Sequence, residues 1–89
     1  MKRYHYILEF IYRENPFTTL KNIELLPGSA ALLQATDDEF AVSGELTSGS
    51  GIDAMAQVIY CAGRIEDKLF VNLAGVHVEY CQDVEELVN

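Results

Sequence analysis

Between residues 3 and 12, in "RYHYILEFIY", the side chains alternate: Tyr4, Tyr6, Leu8, Phe10 and Tyr12 share one face at a period of two, and His5, Ile7, Glu9 and Ile11 share the other. That period predicts a strand. Its second face is only half polar, which places the strand in the middle of a sheet with cover on both sides. The "ENP" at 14–16 signals a turn, and 17–26, "FTTLKNIELL", suits a second strand folded back on the first as a hairpin, with a helix over 18–26 as the alternative.

The "PGS" at 27–29 breaks the chain. Beyond it, "AALLQATDDEFAVSGEL" reads either as a short helix capped by Ser29 or as two strands, 30–35 and 40–46, around the turn "TDDE". Phe40, Val42 and Leu46 share a face with Gly44, which predicts a strand at 40–46 and leaves 30–36 open between the two readings. From 53 to 62, "DAMAQVIYCA" predicts a helix with Gly63 as its C-terminal cap and Arg64 at the negative end of its dipole. The helix is apolar nearly all round, so both faces need cover. Met55, Ile59 and Ala62 are expected on the sheet, and Val58 and Cys61 against another layer or a second copy of the chain.

Strand character then returns. Leu69, Val71 and Leu73 alternate with Phe70 and Asn72; further on Val76, Val78 and Tyr80 point inward and His77, Glu79 and Cys81 outward, with Gly75 at a bulge or a tight turn. The end, 82–89, forms one helical turn or trails off. These elements define an α+β fold: a mostly antiparallel sheet of four to five strands with one main apolar helix packed on one face, in a single domain over 1–89.

An apolar fraction of 49% supports one packed core, although a chain this short buries little more than roughly 60% of its unfolded surface. Burial against a partner or a second copy would add stability. The opening "MKRYHYILEFIYREN" starts like a signal peptide, but His5 and Glu9 interrupt its apolar run. No stretch approaches the ~20 apolar residues of a membrane span, so a cytoplasmic protein with no membrane partner is expected.

Charge changes the picture most. Residues 1–26 carry four bases against three acids, whereas 27–89 carry only Arg64 and Lys68 against eleven acids, and the whole chain has a net charge of −8. Such a field repels phosphate backbones and attracts basic proteins. Direct nucleic-acid binding is therefore disfavoured; the simple alternative is that the charge serves solubility alone.

Candidate chemistry is thin. The "TSGSGID" at 47–53 looks like an anion cradle opening a helix, but Ile52 and Asp53 stand where a P-loop needs Lys and Ser or Thr, and Ala54 where a dinucleotide fingerprint needs its last glycine. The expected role is structural, with Ser50 or Asp53 capping the helix. His77, Glu79 and Cys81, with His5 on a neighbouring strand, are zinc-ligand types, yet His77 to Cys81 spans roughly 13 Å of extended chain, too far for one ion. Cys61 and Cys81 lack C-x-x-C spacing and read as free thiols. No metal site, cofactor or enzymatic activity is expected.

The acidic clusters Asp37, Asp38 and Glu39, then Glu66 and Asp67, then Asp83, Glu85 and Glu86 flank the strands. Together they suggest a rim that docks on an Arg/Lys-rich groove of a basic protein, such as a nuclease or another nucleic-acid-binding protein. The leading expectation is a small acidic protein-binding module, an inhibitor occupying the basic site of a nucleic-acid-handling protein; by size and charge alone it is analogous to immunity proteins and anti-CRISPRs. The alternative is a structural or regulatory module that dimerises through its apolar helix, at Val58 and Cys61, and a sheet edge.

Overall fold

Tyr6, Leu8 and Phe10, alternating with Ile7 and Glu9, do form the strand their spacing predicts: β1 runs Lys2–Tyr12 in the computed structural model, which describes residues 1–13 and 30–84. It is followed in the described chain by β2 (Ala31–Ala35), β3 (Glu39–Ser48), the helix α1 (Gly51–Leu69) and β4 (Val71–Asp83). The four strands make one antiparallel sheet in the order β2-β3-β1-β4. Because β3 and β4 both run against β1 and flank it, they are parallel to each other, and α1 crosses over β1 to join them as a split β-α-β unit. The α+β architecture expected from the periodicities is therefore the one observed.

The core lies between α1 and one sheet face. Leu8, Phe10, Phe40, Val42 and Val71 from the strands meet Val58, Ala62, Ile65 and Leu69 from the helix, all essentially fully buried. Burying each large aliphatic or aromatic side chain contributes about 1.5–3 kcal/mol, so this single layer carries most of the folding free energy. At one end of the sheet Phe10, Phe40 and Tyr12 stack in sequence, with ring centroids 5.2 and 5.4 Å apart. At the other, Tyr4 meets Tyr80 edge-on at 6.0 Å.

Three expectations are corrected. First, α1 does not stop at Gly63 but runs on to Leu69, capped by Phe70 in the left-handed region (φ 53°), whose N–H bonds the Glu66 carbonyl. Glycine inside a helix costs about 1 kcal/mol, and burial of Ile65 and Leu69 outweighs that. Second, the helix keeps Ala62 on the sheet as expected but is rotated from the expected phase by less than one residue's 100°. Ala54, Val58, Ala62, Ile65 and Leu69 face the sheet, while Met55 and Ile59 are exposed. Third, β4 is unbroken through Gly75. The bulge falls on Ala74, since Glu9 pairs with Gly75 and Phe10 with Leu73, and a second falls on Cys81 between the pairs Arg3–Gln82 and Tyr4–Tyr80.

The segment 30–36 resolves as strand. β2 hairpins onto β3, with the Thr36 hydroxyl accepting from the amides of Asp38 (3.3 Å) and Glu39 (3.2 Å) to close the turn. β1 is the inner strand its half-apolar second face suggested, but that face is not sealed like the first: Ile11 is 47% exposed. The strand expected over 17–26, the turn at 14–16, the break at 27–29 and the end beyond residue 84 lie outside the described residues.

One glycine in the sheet is sterically required. Gly44 pairs with Tyr6, whose phenol ring lies across it, and a Cβ at Gly44 would overlap that ring. The Tyr6 hydroxyl is also hydrogen-bonded with the Cys61 thiol on α1. Gly44→Ala is therefore expected to lose about 1–3 kcal/mol in chemical denaturation, with a smaller loss when Tyr6 is first shortened to Leu. Equal losses in both backgrounds would show that the ring does not impose the glycine.

Candidate protein interface

Alternation on β1 sends Arg3, His5, Ile7, Glu9 and Ile11 to the face opposite α1, and the register on either side assembles their neighbours. Four rows result, each read from β3 through β1 to β4: Glu45–His5–Glu79, Ser43–Ile7–His77, Ala41–Glu9–Gly75 and Glu39–Ile11–Asn72. Side chains opposite one another in such rows stand about 4.5–5.5 Å apart at Cβ. Glu9, Glu39, Glu45 and Glu79 thus share one surface with Ile7, Ile11 and Ala41.

The face is not flat. Ile7, Glu9, Leu33, Gln34, Glu39 and Ala41 border a depression of about 230 Å³. Leu33 enters it because β2 is irregular between Leu32 and Gln34, which adds one residue against β3. Further along the strands, His5, Ala31, Ser43 and Glu45 border a second depression of about 300 Å³. Along β4, His77 Nε2 lies 3.9 Å from Glu79 Oε2, both well exposed. Glu9 leans over Gly75, close enough that a Cβ there would stand 3.2 Å from its carboxylate. The chemistry available is a trough with a small apolar floor and carboxylate walls. Among the described residues no group of three or more His, Cys, Asp or Glu is placed to hold a metal ion. Nor, among them, is any helix long and apolar enough to cross a membrane.

The sequence-predicted acidic rim is not one surface. Asp37, Asp38 and Glu39 occupy the β2–β3 turn, and Glu39 continues from it into the trough wall. Asp67 projects from the helix layer, bordering a depression with Ile59 and Tyr60, which puts it on the opposite side of the molecule. Glu66 is spent internally: its carboxylate accepts from the Leu73 amide at 3.0 Å, beside the bulge at Ala74. Asp83 lies at the far end of the sheet and accepts from the Tyr80 hydroxyl at 3.0 Å, which pushes the Tyr80 phenol up. Glu85 and Glu86 fall outside the described residues.

The self-association pair needs a sharper correction. Val58 is fully buried against the sheet and cannot meet a second chain. Cys61 is half buried, its thiol raised by burial, with Arg64 and the Tyr6 hydroxyl acting in the opposite sense. The exposed apolar helix residues are instead Ile52, Met55, Ile59 and Tyr60. The glutamates that the clusters missed, Glu9, Glu45 and Glu79, were findable: each stands at an outward position of an alternating strand.

The glycine loop proves to be a cap. Ser50, in extended backbone, accepts the Asp53 amide on its hydroxyl at 3.2 Å. The buried Ser48 hydroxyl donates to Asp53 Oδ2 at 2.5 Å, and Gln57 Nε2 donates to the same oxygen at 2.9 Å. A carboxylate so placed already complements the positive end of the helix. No family model, curated protein or solved structure matches this chain.

Hydrogen bonds from Ser48, then from Gln57, hold the Asp53 carboxyl below its ordinary value of 3.8. A depressed folded-state pKa contributes stability that is complete above the unfolded value and is lost as pH falls through the folded one. Asp53→Asn is therefore expected to be less stable than the parent at neutral pH, with the gap closing below about pH 4 in paired denaturant titrations. A gap independent of pH would refute the cap's ionic character.

Proposed function

We propose that the protein is a protein-binding module whose open sheet face docks on a basic surface, acting as an inhibitor at the basic site of a nucleic-acid-handling protein. The observation that carries this reading is the shared placement of Glu9, Glu39, Glu45 and Glu79 around Ile7, Ala41 and Leu33, on the side away from α1. Protein interfaces pair an apolar centre with a polar rim, and charge complementarity at the rim selects the partner and speeds encounter. The net charge of −8 favours a cationic partner and opposes contact with nucleic acid itself. The turn residues Asp37 and Asp38 extend the rim at one end. In this reading Glu66 and Asp83, engaged within the fold, contribute little. By size and charge the functional analogies are immunity proteins and anti-CRISPRs.

Displacement of a fluorescent DNA duplex from a panel of nucleases, including CRISPR effectors and bacteriocin nucleases, tests it. Displacement is expected with at least one, weakening steeply with salt. Reversal of Glu9, Glu45 and Glu79 to Lys should weaken it by roughly ten- to a hundredfold while Asp83→Lys does not. No displacement across the panel, or displacement untouched by the triple reversal, would contradict the proposal.

A further inference from the structure

β4 is the longest strand of the sheet, and it lies at an edge. It runs Val71–Asp83, its partner on one side is β1, and among the described residues no strand pairs with its other side. The opposite edge, β2, has only five residues and is itself irregular, so it offers a poor template. On β4 the two bulges, at Ala74 and Cys81, bound a regular stretch from Gly75 to Tyr80. Within it Val76, Val78 and Tyr80 stand on the helix side and His77 and Glu79 on the open side. Tyr80 is 52% exposed. A long edge with an apolar row on one face is a ready template for another strand, and Gly75–Tyr80 contains neither the proline nor the lysine that most often blunts an edge.

We infer that β4 pairs antiparallel with β4 of a second copy, in a register centred on Val78, joining the two described four-stranded sheets into one continuous sheet. Side-chain complementarity, imidazole against carboxylate and apolar against apolar, chooses both occupant and register. An antiparallel pair keeps faces matched only if like-facing residues meet. Centred on Val78, the register sets Val78 against its own copy and Val76 against the copy's Tyr80 on the helix side. On the open side it sets His77 opposite the copy's Glu79, twice by symmetry. The neighbouring register, centred on His77, would place histidine against histidine and leave each Glu79 facing a glycine. A second copy therefore adds a cross-strand histidine to each Glu79, beside the His77 that stands 3.9 Å away on its own strand. The inference stands independently of the proposed inhibitor role; if both hold, the two carboxylate troughs become parts of one continuous face.

Sedimentation equilibrium of the full chain tests this. The parent is expected to dimerise reversibly, giving twice the 10.0 kDa monomer mass. His77→Glu sets two carboxylates against each other at each contact, and Glu79→Lys sets histidine against lysine; each should weaken the dimer roughly tenfold. Mixing the two variants should restore association as a heterodimer, since one contact then pairs glutamate with lysine and the other keeps the native histidine and glutamate. Circular dichroism of both exposed-site variants should match the parent. A strictly monomeric parent at submillimolar concentration would overturn the inference. So would a dimer indifferent to Glu79→Lys, or one abolished by Ile59→Asp on the helix while both β4 variants leave it intact.

Discussion

Among the described residues one helix covers one side of a four-stranded sheet, and the rest of their arrangement depends on how it does so. Ala54, Val58, Ala62, Ile65 and Leu69 form a stripe that lies against Leu8, Phe10, Val42 and Val71. Two of the five are alanines, which let the helix sit low on the strands. Tyr6 fits beneath it because Gly44 leaves room for the phenol ring. This packing fixes which residues are outward on every strand. Once β1 commits Tyr6, Leu8 and Phe10 to the helix, its register with β3 and β4 commits Glu9, Glu45 and Glu79 to the other face.

Burial on one side thus creates the chemical character of the other. Strand alternation cannot hide an apolar row without exposing the row between, and here that row carries carboxylates, two histidines and a few aliphatic side chains. The field of a chain with net charge −8 becomes directional where those carboxylates gather. It is less directional than counting acids along the chain suggests. Glu66 is used to satisfy a backbone amide at a bulge, Asp53 to cap the helix and Asp83 to hold a tyrosine hydroxyl. Acidic residues close in sequence proved to do unlike jobs, whereas Glu9, Glu45 and Glu79, far apart in sequence, share one face of the sheet.

Much of the fold was legible because period-two patterns are local. β1, β3 and the second half of β4 emerged from alternation alone, as did the α+β class. The errors arose where local signals met tertiary demands. Gly63 looked like a helix end because glycine usually is one there, yet Ile65 and Leu69 continue the i, i+4 stripe beyond it. Those same two residues carry the phase that would have turned Val58 inward and Met55 outward. Bulges at Ala74 and Cys81 have no comparable signature, since they exist only in the register of β4 against β1. The interface was legible only in part: Glu39 was named, but the trough depends on cross-strand register, which no single segment contains.

Residue-level mapping of near-surface potential by NMR tests the central claim most directly. Paramagnetic cosolutes of opposite charge would be compared at each backbone amide of the free protein. The cationic probe is expected to be enriched over the anionic one at Ile7, Glu9, Ala41 and His77, while neither probe relaxes Val58 or Ala62 strongly. Equal effects of the two probes along the open face, or strong shielding of Ile7 and Glu9 from both, would contradict it.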